Sequence, residues 1–408
     1  MNMKITRVFK AAFIKNVIWN MLAAFMTTGI LQFVIYPYLG KVYDEAAYGE
    51  ILFVVGIVNV IILTLGNSLG DIRVAADNSD ADTVASFNPL MLIAVFLGSI
   101  FVTVFLIING NMDFLSILLL VVFCALGTMN SYLTGIFRLR LDFKRYFILS
   151  TITSVGYLVG LVLFVVSKQW AAIFVAAYIG AVTYLIKNTK IFHDGFSINA
   201  RTKTVTKEYA KLSVSYALKS SLTYIDRLII YPMLGAGTVA TYTVSTVLGK
   251  CVQLVLQPMG SVLLGYYAQP EFQMSRKRFW QSNILTLLFG FVAFVCTTLF
   301  SRLVIKLLYP GYVDAVKGVL IYANLATVIG ALPSIIQSAL LKFAKMEWQV
   351  VIQAIYGALS VLLAMILIPI YGLIGFCFAL IIANITKLVM MMIIGDRSIR
   401  NKEAKNVE

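Results

Sequence analysis

Twelve stretches of this 408-residue chain are apolar over the length of a membrane span, and that repetition constrains its fold more than any other feature. A helix crossing the hydrocarbon core needs about 20 mostly apolar residues, because lipid cannot satisfy its backbone N–H and C=O groups. The stretches fall at about 17–38, 48–70, 88–109, 114–136, 147–167, 169–187, 211–233, 240–266, 281–300, 316–340, 349–371 and 374–394. With 60% hydrophobic and 12% charged residues and a mean hydropathy of +0.90, a soluble globular protein is excluded. The expected class is an all-α polytopic membrane protein.

Orientation follows from the basic residues, which are retained on the cytoplasmic side of short loops. With the N-terminus inside, the cytoplasmic segments hold 24 of the 33 Lys and Arg residues and the external ones hold 5. Both termini are therefore expected in the cytoplasm. The net charge of +15 and pI near 9.5 then describe a face that meets anionic head groups. Nucleic acid is not an expected partner; membrane lipids are.

Residues 1–16 place Lys4, Arg7, Lys10 and Lys15 among apolar residues at the spacing of a basic amphipathic helix on the membrane surface, and they lack a signal-peptide cleavage pattern. Cys124, Cys251, Cys296 and Cys377 lie in spans at unrelated spacings, which gives neither a disulfide framework nor a metal site. His193, the single histidine, sits in the longest cytoplasmic loop and reads as a solvated residue.

The chain repeats itself. Ile35-Tyr36-Pro37-Tyr38-Leu39-Gly40 closes the first span, and Ile230-Tyr231-Pro232-Met233-Leu234-Gly235 closes the seventh, 195 residues later. An offset of six helices preserves orientation, so the halves are expected to be parallel repeats about an axis along the membrane normal. The organisation that follows is an amphipathic N-terminus (1–16), a six-helix bundle (17–187), a basic linker (188–210), a second six-helix bundle (211–394) and a basic cytoplasmic tail (395–408).

Charges inside the spans point to function, since one near the bilayer centre costs about 2.5–3.5 kcal/mol even on lenient scales and persists where it faces protein or a water-filled cavity. The seventh span carries Lys219, Asp226 and Arg227, with Lys219, Thr223 and Asp226 at i, i+4, i+7 on one helical face. The eighth carries Lys250, Gln253 and Gln257, followed by Pro258, where a kink is expected. Asn20 lies in the first span and Lys387 in the twelfth. Asn and Thr residues in spans are more often glue between helices than ligands, and Lys219 and Lys387 could instead snorkel to the interface. Lys219, Arg227, Lys250 and Lys387 against Asp226 leave three surplus positive charges, a balance that suits an anionic, phosphate-bearing cargo. Asp71 and Arg73, at the inner end of the second span, are gate candidates or a helix cap with its loop. Catalytic residues and cofactors are not expected. The external segments are too short for a polymerase or glycosyltransferase site, and no loop carries a nucleotide or metal motif.

The chain resembles the bacterial polysaccharide and O-antigen flippases of Wzx type, within the multidrug/oligosaccharidyl-lipid/polysaccharide exporter superfamily. The resemblance runs over nearly the whole chain. It rests on Lys15-Asn16 and Trp19-Asn20, on Pro37, Gly40 and Tyr48-Gly49, on Tyr224-Ile225-Asp226-Arg227-Leu228-Ile229-Ile230 with Leu234-Gly235 and Tyr242, and on Leu308-Tyr309-Pro310-Gly311-Tyr312. It implies a MATE-like pair of six-helix bundles around a cavity lined by helices 1, 2, 7 and 8. The implied activity is alternating-access transfer of undecaprenyl-diphosphate-linked oligosaccharides to the outer leaflet of the bacterial inner membrane, with H+ or Na+ as coupling ion. Arg227 and Lys250 would then be diphosphate ligands, Lys219 a second basic contact, and Asp226 their counter-ion or the coupling-ion site. A polysaccharide polymerase and a chain-length regulator are the implied partners. The competing expectations are a drug/cation antiporter, which would place unpaired acids in the cavity, and a membrane polymerase or glycosyltransferase.

Overall fold

The computed structural model describes residues 18–19, 21–75, 84–109, 112–140, 142–189, 195–198, 200–267, 272, 274–345 and 347–405. The expected amphipathic segment 1–16, Asn20 and His193 lie outside them.

Helices α1 (Met21–Val42) and α2 (Glu45–Val74) open the chain, followed by α3 (Phe87–Asn109), α4 (Phe114–Leu139), α5 (Phe143–Ser167) and α6 (Ala171–Thr189). Then come α7 (Ala200–Thr223), α8 (Ile225–Leu234), α9 (Ala236–Ser245), α10 (Val247–Tyr267), α11 (Arg276–Leu308), α12 (Leu320–Phe343) and α13 (Glu347–Lys405). Among the described residues nine helices are long and apolar enough to cross a membrane, and the bent pair α9–α10 makes a tenth. Gly372, at φ 57°, divides α13 into two spans. The polar α7 with α8 supplies the remaining one, so twelve crossings stand, as the hydropathy pattern predicts.

Apolar side chains face outward along these helices. Phe96 is 66% exposed and Leu285 69%, which places them against lipid rather than in a core.

The prolines of the repeated motif stay inside helices, as Pro37 and Pro232 show. A helical proline removes one N–H and crowds the carbonyl four residues earlier. In α1 the turn Leu31–Ile35 just before Pro37 is a π-turn, which relaxes the ladder at that point. Pro258 sits within α10, and α9 and α10 diverge by 57° at Thr246. There Ser245 and Thr246 turn their hydroxyls back onto the carbonyls of Thr241 and Tyr242, competing with the backbone for those acceptors.

Two compact units emerge, Met1–Leu39 with Phe53–Leu228, and Gly40–Leu52 with Ile229–Glu408. Relative to bundles drawn at 17–187 and 211–394, residues 40–52 group with the second unit and 211–228 with the first. The first grouping is visible in Gly49, where a Cβ would fall 1.8 Å from the Ala236 carbonyl oxygen. It is also visible in the Tyr48 ring, 6.0 Å from that of Tyr312.

The second grouping rests on a polar seam between α2 and α7. Thr64 and Ser220 share a 2.9 Å hydrogen bond, Ser68 and Ser213 one of 3.0 Å, and the Tyr209 hydroxyl donates to the Leu65 carbonyl at 3.1 Å. Hydroxyl pairs of this kind hold helices together where lipid offers no hydrophobic drive. Each unit also has its own apolar core: Phe87, Tyr132 and Leu133 in the first, and Phe279, Ile336 and Met391 in the second.

Candidate functional site

The first unit contains a cavity of about 510 Å³, within the range of small-ligand sites of about 300–1,000 Å³. Two amides reach it, Asn67 from α2 and Asn130 from α4. Asn67 ends a second π-turn, Leu63–Asn67, where the local widening of α2 changes the direction of its side chains. Gly66 beside it lets α2 lie against α4, because a Cβ there would sit 2.5 Å from the Ser131 Cβ. Hydroxyls arrive from α1 (Thr27), α4 (Thr134) and α5 (Thr153), and aromatic rings from α5 (Tyr146), α6 (Tyr178) and α7 (Tyr216). Lys219 is the charged residue among the described lining.

Lys219 is exposed, and its Nζ lies 5.3 Å from the centroid of the Tyr216 ring. The Tyr216 hydroxyl in turn donates to the Asp71 carboxylate. The other gate candidate, Arg73, goes to a different place. It is 6% exposed, donates to the Tyr132 hydroxyl at 2.6 Å and lies over the Phe87 ring at 5.7 Å. Arg73 is thus part of the packed interior, while Asp71 orients a cavity tyrosine.

Arg227 is also buried, at 5% exposure. Its guanidinium lies 5.4 Å from the centroid of the Tyr224 ring and 5.9 Å from that of Tyr36, and it hydrogen-bonds the Tyr36 side chain. Gly56 makes the room, since a Cβ there would meet the Arg227 Cδ at 2.8 Å. The phenols of Tyr36, Tyr157, Tyr178 and Tyr224 are close enough to influence one another. A tyrosine cluster therefore connects buried Arg227 to the wall of the cavity.

The spacing Lys219–Thr223–Asp226 assumes one uninterrupted helix. The chain turns at Tyr224 instead, whose carbonyl accepts both the Arg227 and the Leu228 N–H groups at 3.0 and 3.1 Å. Asp226 lies in the first turn of α8, and its carboxylate accepts the Arg227 backbone N–H at 2.9 Å. An acidic side chain in the first turn complements the positive end of a helix.

Of the remaining sequence candidates, Lys250, Gln253 and Gln257 lie on α10 in the second unit, the lysine half-buried and both glutamines exposed. Lys387, also in that unit, places its Nζ 4.6 Å from the centroid of the Tyr356 ring. Of the described candidates, then, the first unit holds Lys219, Asp226, Arg227, Asp71 and Arg73. Sequence reasoning missed Asn67, Asn130 and the tyrosine cluster as components of a site. Asn67 stood out only as one of several asparagines in spans. Among the described residues no group of three His, Cys, Asp or Glu is placed to hold a metal ion.

No curated protein matches the chain. Its fold resembles the lipid II flippase MurJ in an inward closed conformation, with a TM-score of 0.69 and 14% identity over 95% of this chain and 87% of that one. It also resembles a MATE structure in complex with MaL6, with a TM-score of 0.66 and 14% identity over 96% and 97%, and a MATE structure in the bent conformation, with a TM-score of 0.61 and 14% identity over 98% and 97%. Identities this low establish the fold: twelve helices in two bundles. The family follows from sequence, because residues 13–271, more than half of the chain, match the polysaccharide biosynthesis protein family. With a helical membrane fold and this match over more than half of its length, the chain belongs to the polysaccharide biosynthesis protein family.

Proposed function

We propose that this transporter is a flippase for lipid-linked oligosaccharides, moving undecaprenyl-diphosphate-linked repeat units from the cytoplasmic to the outer leaflet by alternating access. The carrying observation is Lys219, an exposed cation lining a cavity otherwise built from hydroxyls, amides and aromatic rings. A cation there favours an anionic cargo and disfavours a cationic drug. The family supports a polysaccharide precursor as cargo, and MurJ, of related fold, is named for flipping lipid II. Arg227, with 5% exposure, supports the cavity wall in this reading, so the phosphate contact passes to Lys219. Lys250 remains a candidate contact from the second unit. Alternating access would be driven by H+ or Na+, with Asp71 and Asp226 as the carboxylates to test. The excess of basic residues in the loops taken as cytoplasmic supports an inner-membrane protein with both termini inside. A polymerase and a chain-length regulator would act on the delivered units.

The test is the leaflet distribution of the lipid-linked glycan in the deleted host, read with an impermeant sugar-modifying reagent on intact cells. Accumulation in the cytoplasmic leaflet, reversed by the wild-type chain but not by Lys219→Gln at equal abundance, is the expected result. An unchanged distribution after deletion overturns the proposal.

A further inference from the structure

In the second unit, the start of α11 and the end of α13 carry a concentrated positive charge. Within 275–280 and 393–400 the cations Arg276, Lys277, Arg278, Arg397 and Arg400 stand against one carboxylate, Asp396, a surplus of four, and all five cations are exposed. One carboxylate organises this patch. The Asp396 side chain, 15% exposed, accepts the Arg276 fork on both oxygens, at 2.7 and 3.1 Å, and the Trp280 indole N–H at 2.7 Å. These hydrogen bonds, that of Arg276 foremost, hold its carboxyl below the ordinary range, and the Arg400 charge acts in the same direction. A bidentate pair fixes the plane of the guanidinium as well as its distance.

The two helices also meet through packing. Gly395 lets α13 approach the Phe279 ring, because a Cβ there would lie 2.4 Å from the Phe279 Cζ. Away from the charges the surface changes character. On α11, Trp280, Ile284 and Phe291 follow one another at i, i+4, i+11, and on α13 Val389 and Ile393 lead at the same spacing to Arg400. The five apolar members of these two rows are 38–67% exposed. An indole with its N–H tied to the charged cluster thus stands where a basic surface gives way to hydrocarbon, the place an amphipathic ring prefers.

A partner that satisfies both parts carries negative charge at one end and an aliphatic chain at the other. A soluble anion would use only the cations, and a zwitterionic lipid would leave their surplus uncompensated. We propose that the paired ends of α11 and α13 form a binding site for one anionic phospholipid of the cytoplasmic leaflet. Its phosphate is held by Lys277 and Arg400, which flank the Arg276–Asp396 pair, and an acyl chain lies along Trp280, Ile284 and Ile393. The site is separate from the cavity of the first unit and does not depend on the flippase reading. A lipid seated there ties α11 to α13 beside the one carboxylate that already joins them.

Native mass spectrometry of the full-length protein in detergent would compare phosphatidylglycerol with phosphatidylcholine of the same acyl chains, and with glycerol 3-phosphate as the head group alone. Retention of one phosphatidylglycerol per chain is expected, in preference to phosphatidylcholine and to glycerol 3-phosphate. Lys277→Gln and Arg400→Gln should each weaken phosphatidylglycerol about fivefold, the contribution of one basic residue beside an anionic lipid. Lys203→Gln removes the same charge from an exposed position on α7 of the first unit and should bind as wild type does. Equal retention of the two lipids, or an equal loss in all three variants, would reduce the patch to diffuse surface charge and overturn the site. Glycerol 3-phosphate bound as tightly as the lipid would remove the acyl chain from the account and likewise overturn it. A lipid-free dimer that Arg400→Gln dissociates would assign this surface to a second copy of the chain instead.

Discussion

The Arg227 guanidinium lies over the ring of Tyr36, 5.9 Å from its centroid, so the most distinctive charge of the sequence is built into the wall of the first unit. Tyr36 belongs to the repeated Tyr-Pro motif, and its counterpart Tyr231 lies in the second unit. The Arg227 side chain is therefore tied to one copy of the repeat, where a π-turn precedes the proline. A cation desolvated between aromatic faces gains about 2 kcal/mol or more from them, whereas removal of one partner leaves the others without it.

Arg227→Ala should therefore lower stability as well as transport. Loss of the aromatic contacts with Tyr36 and Tyr224 predicts a destabilisation of about 2–4 kcal/mol from the lost cation–π contacts and the void left behind. Thermal unfolding in detergent would show a lower Tm than wild type. An unchanged Tm with abolished transport would return Arg227 to the role of a direct ligand.

Gly56→Val should reproduce the Arg227 phenotype without touching the charge. A Cβ at this position would come within 2.8 Å of the Arg227 Cδ, so the branched side chain must displace the guanidinium from Tyr36 and Tyr224. A lower Tm together with reduced surface polysaccharide is the expected outcome, with Gly56→Ala milder because a flexible arginine can shift by a few tenths of an ångström. Wild-type polysaccharide levels in Gly56→Val would show that the position of Arg227 is immaterial.

The number and class of the helices were legible because desolvation of the backbone leaves few alternatives to an apolar helix, and hydropathy reports that directly. The site was only partly legible. Lys219 and Arg227 stood out by the cost of their charge, but the break between α7 and α8 at Tyr224 is a local feature that a helical wheel ignores. The bend at Thr246, where two hydroxyls back-bond in succession, likewise leaves no signal in the hydropathy pattern.

Stability of the Asp113 corner should depend on acid. Hydrogen bonds from the Ser116 hydroxyl at 2.5 Å, the Ser116 N–H at 3.3 Å and Gln169 at 3.4 Å hold its carboxyl below the ordinary value. A lowered folded pKa means that the unfolded chain binds the proton first. The contribution is thus fully present above the unfolded value of about 3.9 and is lost as pH falls through the lower folded value. In unfolding measured from about pH 6 down to about pH 2, Asp113→Asn should flatten the acid limb relative to wild type. Parallel pH profiles for the two proteins would remove the carboxylate from the account.

Packing of α5 on α6 makes a strict demand on side-chain size. Gly156 and Gly160 are four residues apart on one face of α5, and Cβ atoms there would lie 2.6 Å from the Cα atoms of Ala177 and Ile173. These are backbone atoms of a packed helix, so the collision cannot be relieved by a rotamer change, and the two helices must separate. Small residues at this spacing are what allow membrane helices to approach closely when lipid offers no competing hydrophobic drive. Gly160→Leu should therefore cost at least the 1–3 kcal/mol or so of an overpacked core, seen as a lower Tm and faster proteolysis in detergent. Gly318→Ala serves as the control, because nothing lies within 4 Å of its Cβ position, and it should match wild type. Equal stability of the two variants would mean that α5 and α6 tolerate separation, and that the glycines are not what sets their distance.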